Sequence, residues 1–331
     1  MTKWSVIMWT AILCYCLCII ETSEENNTSI NTTSKQLAYN YYELTCPFLE
    51  DIVRKQMLIF FAADASAPSA FLRLFFHDCQ VQGCDASILL DSKDSEMQCS
   101  KNFGIRKLEE IGRLKSILEA VCPRQVSCAD IIALAARDSI LLSGGPFIQI
   151  PLGRKDSFNY STPKQADAHL PSTTINVHQL LHIFKPKGMY LHESVAILGG
   201  HTLGGGHCIN IVDRLYNPKS RDQMDLSFQL SLRLACPSKV PITNLTFIPN
   251  DMTPTIFDNQ YYRDIIMGKG LFGIDSSIAR DPRTMNIVSQ FAMDQQYFFE
   301  TFSSAFVKLS SANVLTGKMG EVRIQCDQVN Q

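Results

Sequence analysis

Nine cysteines restrict the folds open to this chain of 331 residues more strongly than any other feature of its sequence. They follow a short apolar segment at the N-terminus, which contains the other three of the 12 cysteines. In an oxidising compartment, nine cysteines indicate disulfide bonds with one thiol left over. Their spacing is unlike the paired Cys-x-x-Cys of zinc sites, and the sequence by itself leaves the pairing open. The nine are Cys46, Cys79, Cys84, Cys99, Cys122, Cys128, Cys208, Cys236 and Cys326.

The N-terminal segment has the features of a secretory signal peptide. Lys3 precedes the apolar run VIMWTAILCYCLCII of residues 6–20, and Glu21 ends it. The run is shorter than a membrane-spanning helix and matches the apolar core of a signal peptide. We expect residues 1–23 to be removed, with cleavage near residues 20–25; an uncleaved signal anchor is the alternative. Five Asn-x-Ser/Thr motifs fit a secreted protein with glycans on surface loops. They begin at Asn26, Asn27, Asn31, Asn159 and Asn244.

The charge and composition argue against several classes of protein. The formal net charge is -2 and charge runs are short, so nothing indicates binding to nucleic acid or to an anionic membrane. Hydrophobic residues make up 46% of the chain, which is enough for one large domain. We expect a flexible segment at 24–40, a single domain at 41–326 and a short tail at 327–331.

Helical periodicity dominates the chain after residue 40. The apolar residues of KLEEIGRLKSILEAV at 107–121 fall on one stripe of a helix. SCADIIALAARDSILLSGG begins with Ser127 three residues before Asp130, much like a capping box, and stops at two glycines. FDNQYYRDIIMG is also predicted to be helical, and MNIVSQFAMDQQYFFETFSSAFVKLSSA is predicted to form one long amphipathic helix. The best strand candidate is FIQIPLG at 147–153, so the predicted fold is mainly α with a minor, hairpin-like strand pair.

The segment RLFFHDC at residues 73–79 carries a cation, aromatic rings and an imidazole on one predicted helix. Arg73 and His77 are four residues apart and share a face, with Phe76 beside them. The alternative is a structural helix, because a buried histidine often satisfies its hydrogen bonds within a core.

An oxygen-rich loop follows this helix in HDCQVQGCDASILLD. Asp78, Asp85 and Ser87 offer side-chain oxygens, and Gly83 allows a tight turn between them. Hard oxygen ligands on a bent loop suit calcium. The alternative is a polar turn without a metal.

The other histidines give weaker indications. His178 and His182 have a spacing that can hold a metal, but no Glu-x-x-His pattern accompanies them, and we expect a solvated or capping role. His201 lies in ILGGHTLGGGHC, where the glycines leave room for a large, flat group to approach the backbone.

Eight short motifs, taken in order, make the sequence resemble a known family. They are RLFFHDC, GCDASILLD, VSCADIIALAARDS, LGRKDS, GGHTLG, RLYNP, TPTIFDNQYY and KGLF. Together they resemble the secreted plant peroxidases, the class III haem peroxidases, from about Tyr41 to Cys326. The resemblance implies a haem-peroxidase fold, in which distal and proximal helical halves sandwich one b-type haem.

The resemblance implies a role for each residue on the distal side of the haem. His77 would move a proton from the near to the far oxygen of bound H2O2, and for that it must be neutral. Arg73 would stabilise the charge that develops as the O–O bond breaks, and Phe76 would cover the iron and keep reducing substrates at the haem edge. Asn102, six residues after Glu96, would hydrogen-bond the distal histidine and keep it basic.

On the proximal side, the resemblance assigns the iron ligand and its partner. His201 would bind the iron, and Asp275, in GLFGIDSS, would accept the other N–H of its ring. This bond would give the imidazole anionic character and lower the potential of the iron. Pro171, in HLPS, would lie at the site for aromatic donors.

The resemblance also implies two calcium ions per chain. The distal ligands would be Asp78, Val81 (carbonyl), Gly83 (carbonyl), Asp85 and Ser87. The proximal ligands would include Thr202, Thr253, Ile256 (carbonyl) and Asp258. The family usually has an aspartate three residues before Thr253, where this chain has Asn250 with Asp251 beside it. Either Asn250 ligates through its amide oxygen or the loop shifts to use Asp251, and the proximal ion would bind more weakly if an anionic ligand is lost.

Eight of the nine cysteines match the disulfide bonds of the family. They would pair as Cys46–Cys122, Cys79–Cys84, Cys128–Cys326 and Cys208–Cys236. Cys99 is the extra cysteine, either a free thiol or a candidate for an intermolecular bridge.

Trp4 and Trp9 both lie in the signal segment, which argues against a surface-tryptophan radical route for oxidising bulky polymers and leaves a tyrosine route open.

The resemblance therefore implies a secreted, monomeric peroxidase of the cell wall space. It would reduce H2O2 and oxidise small phenols by one-electron steps, with cell-wall polymers as further partners, in wall phenolic metabolism, H2O2 removal and stress responses. Neither nucleic acid nor, after signal cleavage, a membrane is an expected partner. The alternatives are a catalytically weak, calcium-stabilised wall-binding protein and a non-haem metal hydrolase.

Overall fold

Thirteen α-helices and two short strands make up the fold of the residues that the structure describes. The computed structural model describes residues 36–218, 224–240 and 246–331. The helices are α1 (Leu49–Ala63), α2 (Ala67–Gln80), α3 (Leu108–Val121), α4 (Cys128–Leu142), α5 (Pro163–His169), α6 (Val177–Phe184), α7 (Leu191–Ala196), α8 (Val212–Tyr216), α9 (Leu226–Ala235), α10 (Gln260–Ile266), α11 (Gly273–Arg280), α12 (Met285–Met293) and α13 (Gln295–Ser311). The strands are β1 (Gly205–His207) and β2 (Phe247–Pro249). The prediction of a mainly helical fold is confirmed.

Helix α2, which carries the RLFFHDC motif, packs against the buried helix α4 and against α13. It packs along α4, whose residues from Cys128 to Ile140 are all buried. On another side of α2, Phe75 stacks on Phe306 of α13 with their ring centroids 4.4 Å apart. Stacked aromatic pairs stabilise a core beyond the area that they bury, so the polar face of α2 is fixed by apolar packing behind it.

Helix α4 begins and ends where its sequence predicts. The Ser127 hydroxyl accepts a hydrogen bond from the backbone N–H of Asp130 at 3.2 Å, which is an N-cap interaction. The helix ends at Leu142, just before Gly144, whose φ of +95° favours glycine. The Asp130 carboxylate also forms a fully buried ion pair with Arg154, with an Oδ1–Nη1 distance of 2.7 Å.

The C-terminal segment is helical as predicted, but the prediction of one long helix is wrong, because two helices, α12 and α13, occupy the segment. They meet at Asp294, whose carboxylate accepts from the backbone N–H of Tyr297 at 3.0 Å and caps α13. Aspartate competes for backbone N–H groups and is a favoured N-cap residue. The predicted helices at 107–121 and in FDNQYYRDIIMG are confirmed as α3 and α10.

The prediction of a strand in FIQIPLG is also wrong. Ile148, Ile150 and Leu152 are buried in alternation, but among these residues only Leu152 forms a bridge, an isolated one with Ala38. The alternation reflects an extended segment lying on the core, and Pro151 has no N–H to donate to a sheet.

The sheet consists instead of the antiparallel pair β1 and β2, with Gly206 opposite Ile248. The Gly-Gly-His sequence of β1 has no pattern typical of a strand. The two strands are far apart in the chain, so they are not joined as a hairpin.

Four disulfide bonds join the cysteine pairs that the resemblance implies. They are Cys46–Cys122, Cys79–Cys84, Cys128–Cys326 and Cys208–Cys236. Cys99 is free and buried, and its burial favours the free thiol over an intermolecular bridge.

The N-terminal predictions lie mostly outside the described residues. The predicted signal segment, the three sequons before residue 36 and the sequon at Asn244 belong to that part of the chain. Asn159 lies in an exposed bend, as expected for a glycan acceptor. In the described ranges, no helix combines the length and the apolar character needed to cross a bilayer.

Candidate active site

His77, near the end of α2, is the centre of the predicted distal group. Its ring is buried, and its Nδ1 lies 2.6 Å from Oδ1 of Asn102. Asn102 ends a short 3₁₀ turn, Ser100–Asn102, and its Nδ2 donates to the carbonyl of Glu96 at 2.8 Å. Because the Asn102 amide oxygen can only accept, Nδ1 of His77 carries a proton and Nε2 of a neutral ring keeps its lone pair.

Arg73 lies one helical turn before His77. Its Nε is 3.4 Å from Nε2 of His77. Its Nη2 donates to the carbonyls of Lys101 and Phe103, at 3.1 and 2.9 Å. Burial and the nearby charge of Arg106 lower the pKa of Arg73 to about 10. The guanidinium therefore remains a cation at neutral pH, held beside the imidazole by two backbone carbonyls.

His77 is held in its neutral form by its surroundings. Burial, followed by the charge of Arg73, lowers the pKa of His77 to about 3, although its hydrogen bond to Asn102 acts in the opposite direction. The ring of Phe76, which is half-buried, lies edge-on to the imidazole with their centroids 5.9 Å apart. The end of α2 thus presents a neutral base beside a fixed cation, an arrangement that can transfer a proton and stabilise negative charge.

His201, on the 3₁₀ segment Ile197–Thr202, is the centre of the predicted proximal group. Its Nδ1 lies 3.0 Å from Oδ1 of Asp275, a buried residue of α11. The other Asp275 oxygen accepts from the backbone N–H of Phe272 at 2.7 Å. The aspartate is therefore fixed from two sides, and its bond to Nδ1 directs Nε2 of His201 toward other partners.

Tyr261 joins this group, although its sequence position gave no indication of a role at the site. Its hydroxyl donates to Oδ1 of Asp275 at 2.8 Å, the same oxygen that contacts His201. Its ring also lies edge-on to the imidazole, with centroids 5.8 Å apart. Tyr261 lies three residues after Asp258 in the TPTIFDNQYY motif, but no spacing rule indicates that its hydroxyl reaches Asp275 on α11.

The segment that carries His201 packs directly against α2. A Cβ added at Gly200 would lie 3.4 Å from Cδ2 of Leu72, and one added at Gly204 would lie 2.6 Å from Cβ of Ser69. The distal and proximal groups therefore lie on neighbouring elements. Side chains of the protein itself occupy the space beside Gly200 and Gly204. Packing within the protein therefore accounts for the absence of side chains at these two positions, and a large, flat group is not needed to explain it.

The predicted distal calcium ligands meet at the end of α2. Asp78 is fully buried, and its Oδ2 accepts from the backbone N–H of Ala86 at 3.2 Å. Its Oδ1 has no hydrogen-bond partner among the described residues. Asp85 accepts from the N–H of Ser87 at 3.0 Å, and the Ser87 hydroxyl donates to Glu96 at 2.8 Å. Glu96 is a third acidic residue beside this loop, and no motif of the sequence indicated this contact.

The electrostatics of this loop favour a cation. Burial and the charges of neighbouring carboxylates raise the pKa of Asp78 well above its ordinary value. Burial also raises the pKa of Asp85 to about 6 and that of Glu96 to about 8. A bound calcium would relieve this repulsion and satisfy the unpaired oxygen of Asp78.

The shape of the loop depends on Gly83. Its φ is +115°, and an added Cβ would lie 2.3 Å from the carbonyl oxygen of Asn313. The neighbouring Val81 is buried at the C-terminal end of α2. Both predicted carbonyl ligands therefore lie on a tightly constrained backbone.

The predicted proximal calcium ligands converge on the hydroxyl of Thr202, which is next to His201. This hydroxyl lies 2.7 Å from Asp251, 3.2 Å from Asp258 and 3.4 Å from the carbonyl of Ile256. The Thr253 hydroxyl also contacts Asp258, at 3.1 Å. Burial raises the pKa of Asp251 to about 6.

The Asn250 side chain has no hydrogen bond to these ligands in the described ranges. Its Nδ2 donates to the carbonyl of His201 at 2.8 Å, and its Oδ1 has no partner among the described residues. In the ranges that the structure describes, no point is surrounded by three or more His, Cys, Asp or Glu side chains suited to a metal. Both calcium candidates therefore depend on hydroxyl and carbonyl oxygens as well as carboxylates, which calcium accepts.

The remaining predicted residues are Pro171 and two histidines of α6. Pro171 is half-buried and follows Leu170, whose carbonyl accepts from Nζ of Lys101 at 2.9 Å. His178 and His182 are exposed on α6, in agreement with the solvated role.

Comparisons with known proteins agree with this arrangement. The family model described as "Peroxidase" matches residues 53–294. Peroxidase 29 of Arabidopsis thaliana is 50% identical over 323 residues, which cover 95% of this chain and 94% of that protein. Peroxidase 12 of the same plant is 40% identical over 89% of this chain and 83% of its own length. Peroxidase 42 is 38% identical over 98% of this chain and 98% of its own length. The chain therefore belongs to the class III haem peroxidases of plants and is a peroxidase enzyme.

Proposed function

We propose that this peroxidase is secreted and couples the reduction of H2O2 to the one-electron oxidation of small phenols. In the balanced reaction, two phenols and one H2O2 give two phenoxyl radicals and two waters. The pairing of neutral His77 with cationic Arg73 on α2 is the observation that carries the proposal. Each group has the protonation state that heterolysis of a peroxide requires.

His201 is the residue proposed to hold haem b, one per chain. The donor set fits, because Asp275 binds Nδ1 of the ring and leaves Nε2 as the ligand atom. The redox chemistry of peroxide reduction would come from haem bound at this histidine. Asp275 would hold the imidazole in one orientation and increase its electron donation, while Tyr261 would moderate this effect by sharing the same carboxylate oxygen.

The distal residues would transfer protons and stabilise negative charge. His77 would accept the proton of the near peroxide oxygen at Nε2 and return it to the far oxygen, which leaves as water. Arg73 would stabilise the negative charge that forms during cleavage. Asn102 would keep the proton of His77 on Nδ1, and Phe76 would screen the pocket so that donors react at the edge, near Pro171.

Two calcium ions are proposed to support the two groups. The distal ion would bind Asp78, Asp85 and the neighbouring loop oxygens, next to His77. The proximal ion would bind the Thr202 set, next to His201. Asp251 is the better candidate for its anionic ligand, because its carboxylate contacts the Thr202 hydroxyl, whereas Asn250 would offer only a neutral amide oxygen.

Replacing Asp251 by alanine is expected to remove one of the two calcium ions, because the proximal set loses an anionic ligand. Asn250→Ala is the matched control and is expected to retain both ions. Metal analysis after dialysis against calcium-free buffer, together with calorimetric titration, measures the stoichiometry. Loss of calcium from the Asn250 variant alone would reverse the assignment.

The setting of the reaction follows from the proposed secretion. A signal peptide at residues 1–23, a single domain at 41–326 and an apoplastic location in the cell wall would expose the enzyme, as a monomer, to H2O2, small phenols and wall polymers. Roles in wall phenolic metabolism, H2O2 removal and stress responses are part of this proposal. Fractionation of tissue that expresses the full chain, with N-terminal sequencing of the mature protein, tests location and cleavage together.

Spectroscopy and turnover of the haem-reconstituted mature protein test the proposed activity. We expect a Soret band that changes on addition of H2O2, and steady-state oxidation of a panel of phenols ranked by kcat/KM. A calcium-binding protein with a Soret band but no turnover of any phenol would instead support a wall-binding role.

A further inference from the structure

The C-terminal end of α5 is held by two side chains from the distal half of the protein. Nζ of Lys101 donates to the carbonyls of Asp167 and Leu170, at 2.5 and 2.9 Å. Nε2 of Gln80 donates to the carbonyl of His169 at 3.0 Å. The last carbonyls of a helix lack intrahelical donors, so these three bonds satisfy groups that would otherwise need water.

Lys101 suits this position electrostatically as well as geometrically. A cation is favoured near a helix C-terminus, where the peptide dipoles leave partial negative charge. Its side chain is 25% exposed, and Nζ also pairs with Oδ1 of Asp167 at 3.0 Å. Because the Asp167 side chain is 66% exposed, this ion pair contributes little, and the two carbonyl bonds are the main connection.

The same two residues adjoin the distal group through their backbones. The carbonyl of Lys101 accepts from Arg73 at 3.1 Å, and the residue after it is Asn102, the partner of His77. Gln80 lies three residues after His77 on α2 and is 4% exposed. A rigid path of backbone and short hydrogen bonds therefore links the distal residues to Leu170, which immediately precedes Pro171.

We propose that Lys101 and Gln80 are positioning residues, which fix the end of α5 and the adjoining Pro171 segment relative to the distal pocket and so set the affinity for phenolic donors. This inference rests on the proposed function, because Pro171 is there the donor site. We call the pair the α5 anchor. The anchor affects the binding of the phenolic donor, whereas Arg73 and His77 carry out peroxide cleavage.

The variant Lys101→Met tests the anchor, because it keeps the length of the side chain and removes its donors. Lys164→Met is the matched control, since Lys164 is an exposed lysine of α5 itself. Loss of the two carbonyl bonds is expected to raise KM for a phenol such as ferulic acid by about three- to tenfold. The rate of reaction with H2O2 in stopped-flow measurements is expected to stay unchanged.

Hydrogen exchange gives a second readout that does not depend on turnover. The amide of Leu170 donates to the carbonyl of Ala166 at 2.9 Å, so loosening of the helix end is expected to accelerate exchange at residues 166–170 by about tenfold in Lys101→Met. Lys101→Arg is expected to restore protection, and adding Gln80→Met to Lys101→Met is expected to weaken it further.

The outcomes separate the anchor from the proposed function. Unchanged exchange, or faster exchange with an unchanged KM for phenols, would overturn the anchor. A slower reaction with H2O2 at unchanged donor KM would also overturn it, because Lys101 would then act on Arg73 instead of the donor. If the wild-type enzyme oxidised no phenol, the proposed function would fail, and with it the claim about donor affinity, whatever the exchange measurement showed.

Discussion

Replacing His77 by alanine is expected to slow the reaction with H2O2 by about 10²- to 10⁴-fold, the usual contribution of a general acid–base group. The imidazole is neutral because burial and Arg73 lower its pKa to about 3, and its Nε2 keeps a lone pair, to which Nε of Arg73 donates at 3.4 Å. Alanine provides neither a proton acceptor for the near oxygen nor a proton donor for the far one. Arg73 remains in the variant and accounts for residual activity.

Stopped-flow absorption at the Soret band measures this rate directly. His182→Ala is the control, because His182 is an exposed histidine outside both groups. Equal Soret absorbance per protein in the variant and the wild type would show that haem binding at His201 is intact. A rate for His77→Ala equal to that of the control would contradict the acid–base role.

A smaller effect is expected for Asn102→Ala, since that variant retains the base. The imidazole would lose the acceptor that keeps its proton on Nδ1. The tautomer with a proton on Nε2 would then be populated, and only the other tautomer can accept a proton from peroxide. The rate with H2O2 is therefore expected to fall between those of the wild type and His77→Ala, in the same stopped-flow measurement.

Local sequence signals predicted the helices because helix formation depends mainly on interactions between residues close together in the chain. The stripe of α3 and the Ser127 cap of α4 depend on residues within one or two turns. The same physics explains one error: Asp294 is a strong N-cap inside an apolar periodicity, and the cap divides the helix. The alternating burial of FIQIPLG was real, but a strand also requires a partner, and that depends on the whole fold.

In the candidate site, too, the sequence indicated the contacts within one helix but not the contacts between distant segments. RLFFHDC placed Arg73 and His77 on one face because helical spacing is local. Tyr261 reaches Asp275 from another helix, and Lys101 reaches α5 across 66 positions of sequence. Contacts of this kind carry no periodicity or motif, so only the folded structure reveals them. The contact of Asp251 with the Thr202 hydroxyl is likewise a long-range one, and the neighbouring Asn250 gave no sign of it in the sequence.

Removal of calcium is expected to slow peroxide cleavage by about 10- to 100-fold before the protein unfolds, because small displacements of a catalytic group carry penalties of this size. His77 is followed directly by Asp78, whose buried Oδ1 lacks a partner among the described residues. Cys79–Cys84 closes the same loop. Without the ion, Asp78 and Asp85 repel each other, and the end of α2 that directs His77 loses its support.

A chelator titration separates this local effect from global unfolding. The rate with H2O2 and the near-ultraviolet circular dichroism are followed together as free calcium falls, and calcium is then added back. We expect the rate to fall at a higher calcium concentration than the dichroism and to recover on re-addition. Asp78→Asn should reproduce the slow rate in excess calcium, because it weakens the distal ion and leaves the Thr202 set intact. Parallel loss of both signals would mean that calcium only holds the fold together, since a local effect on His77 requires activity to fall while the core remains packed.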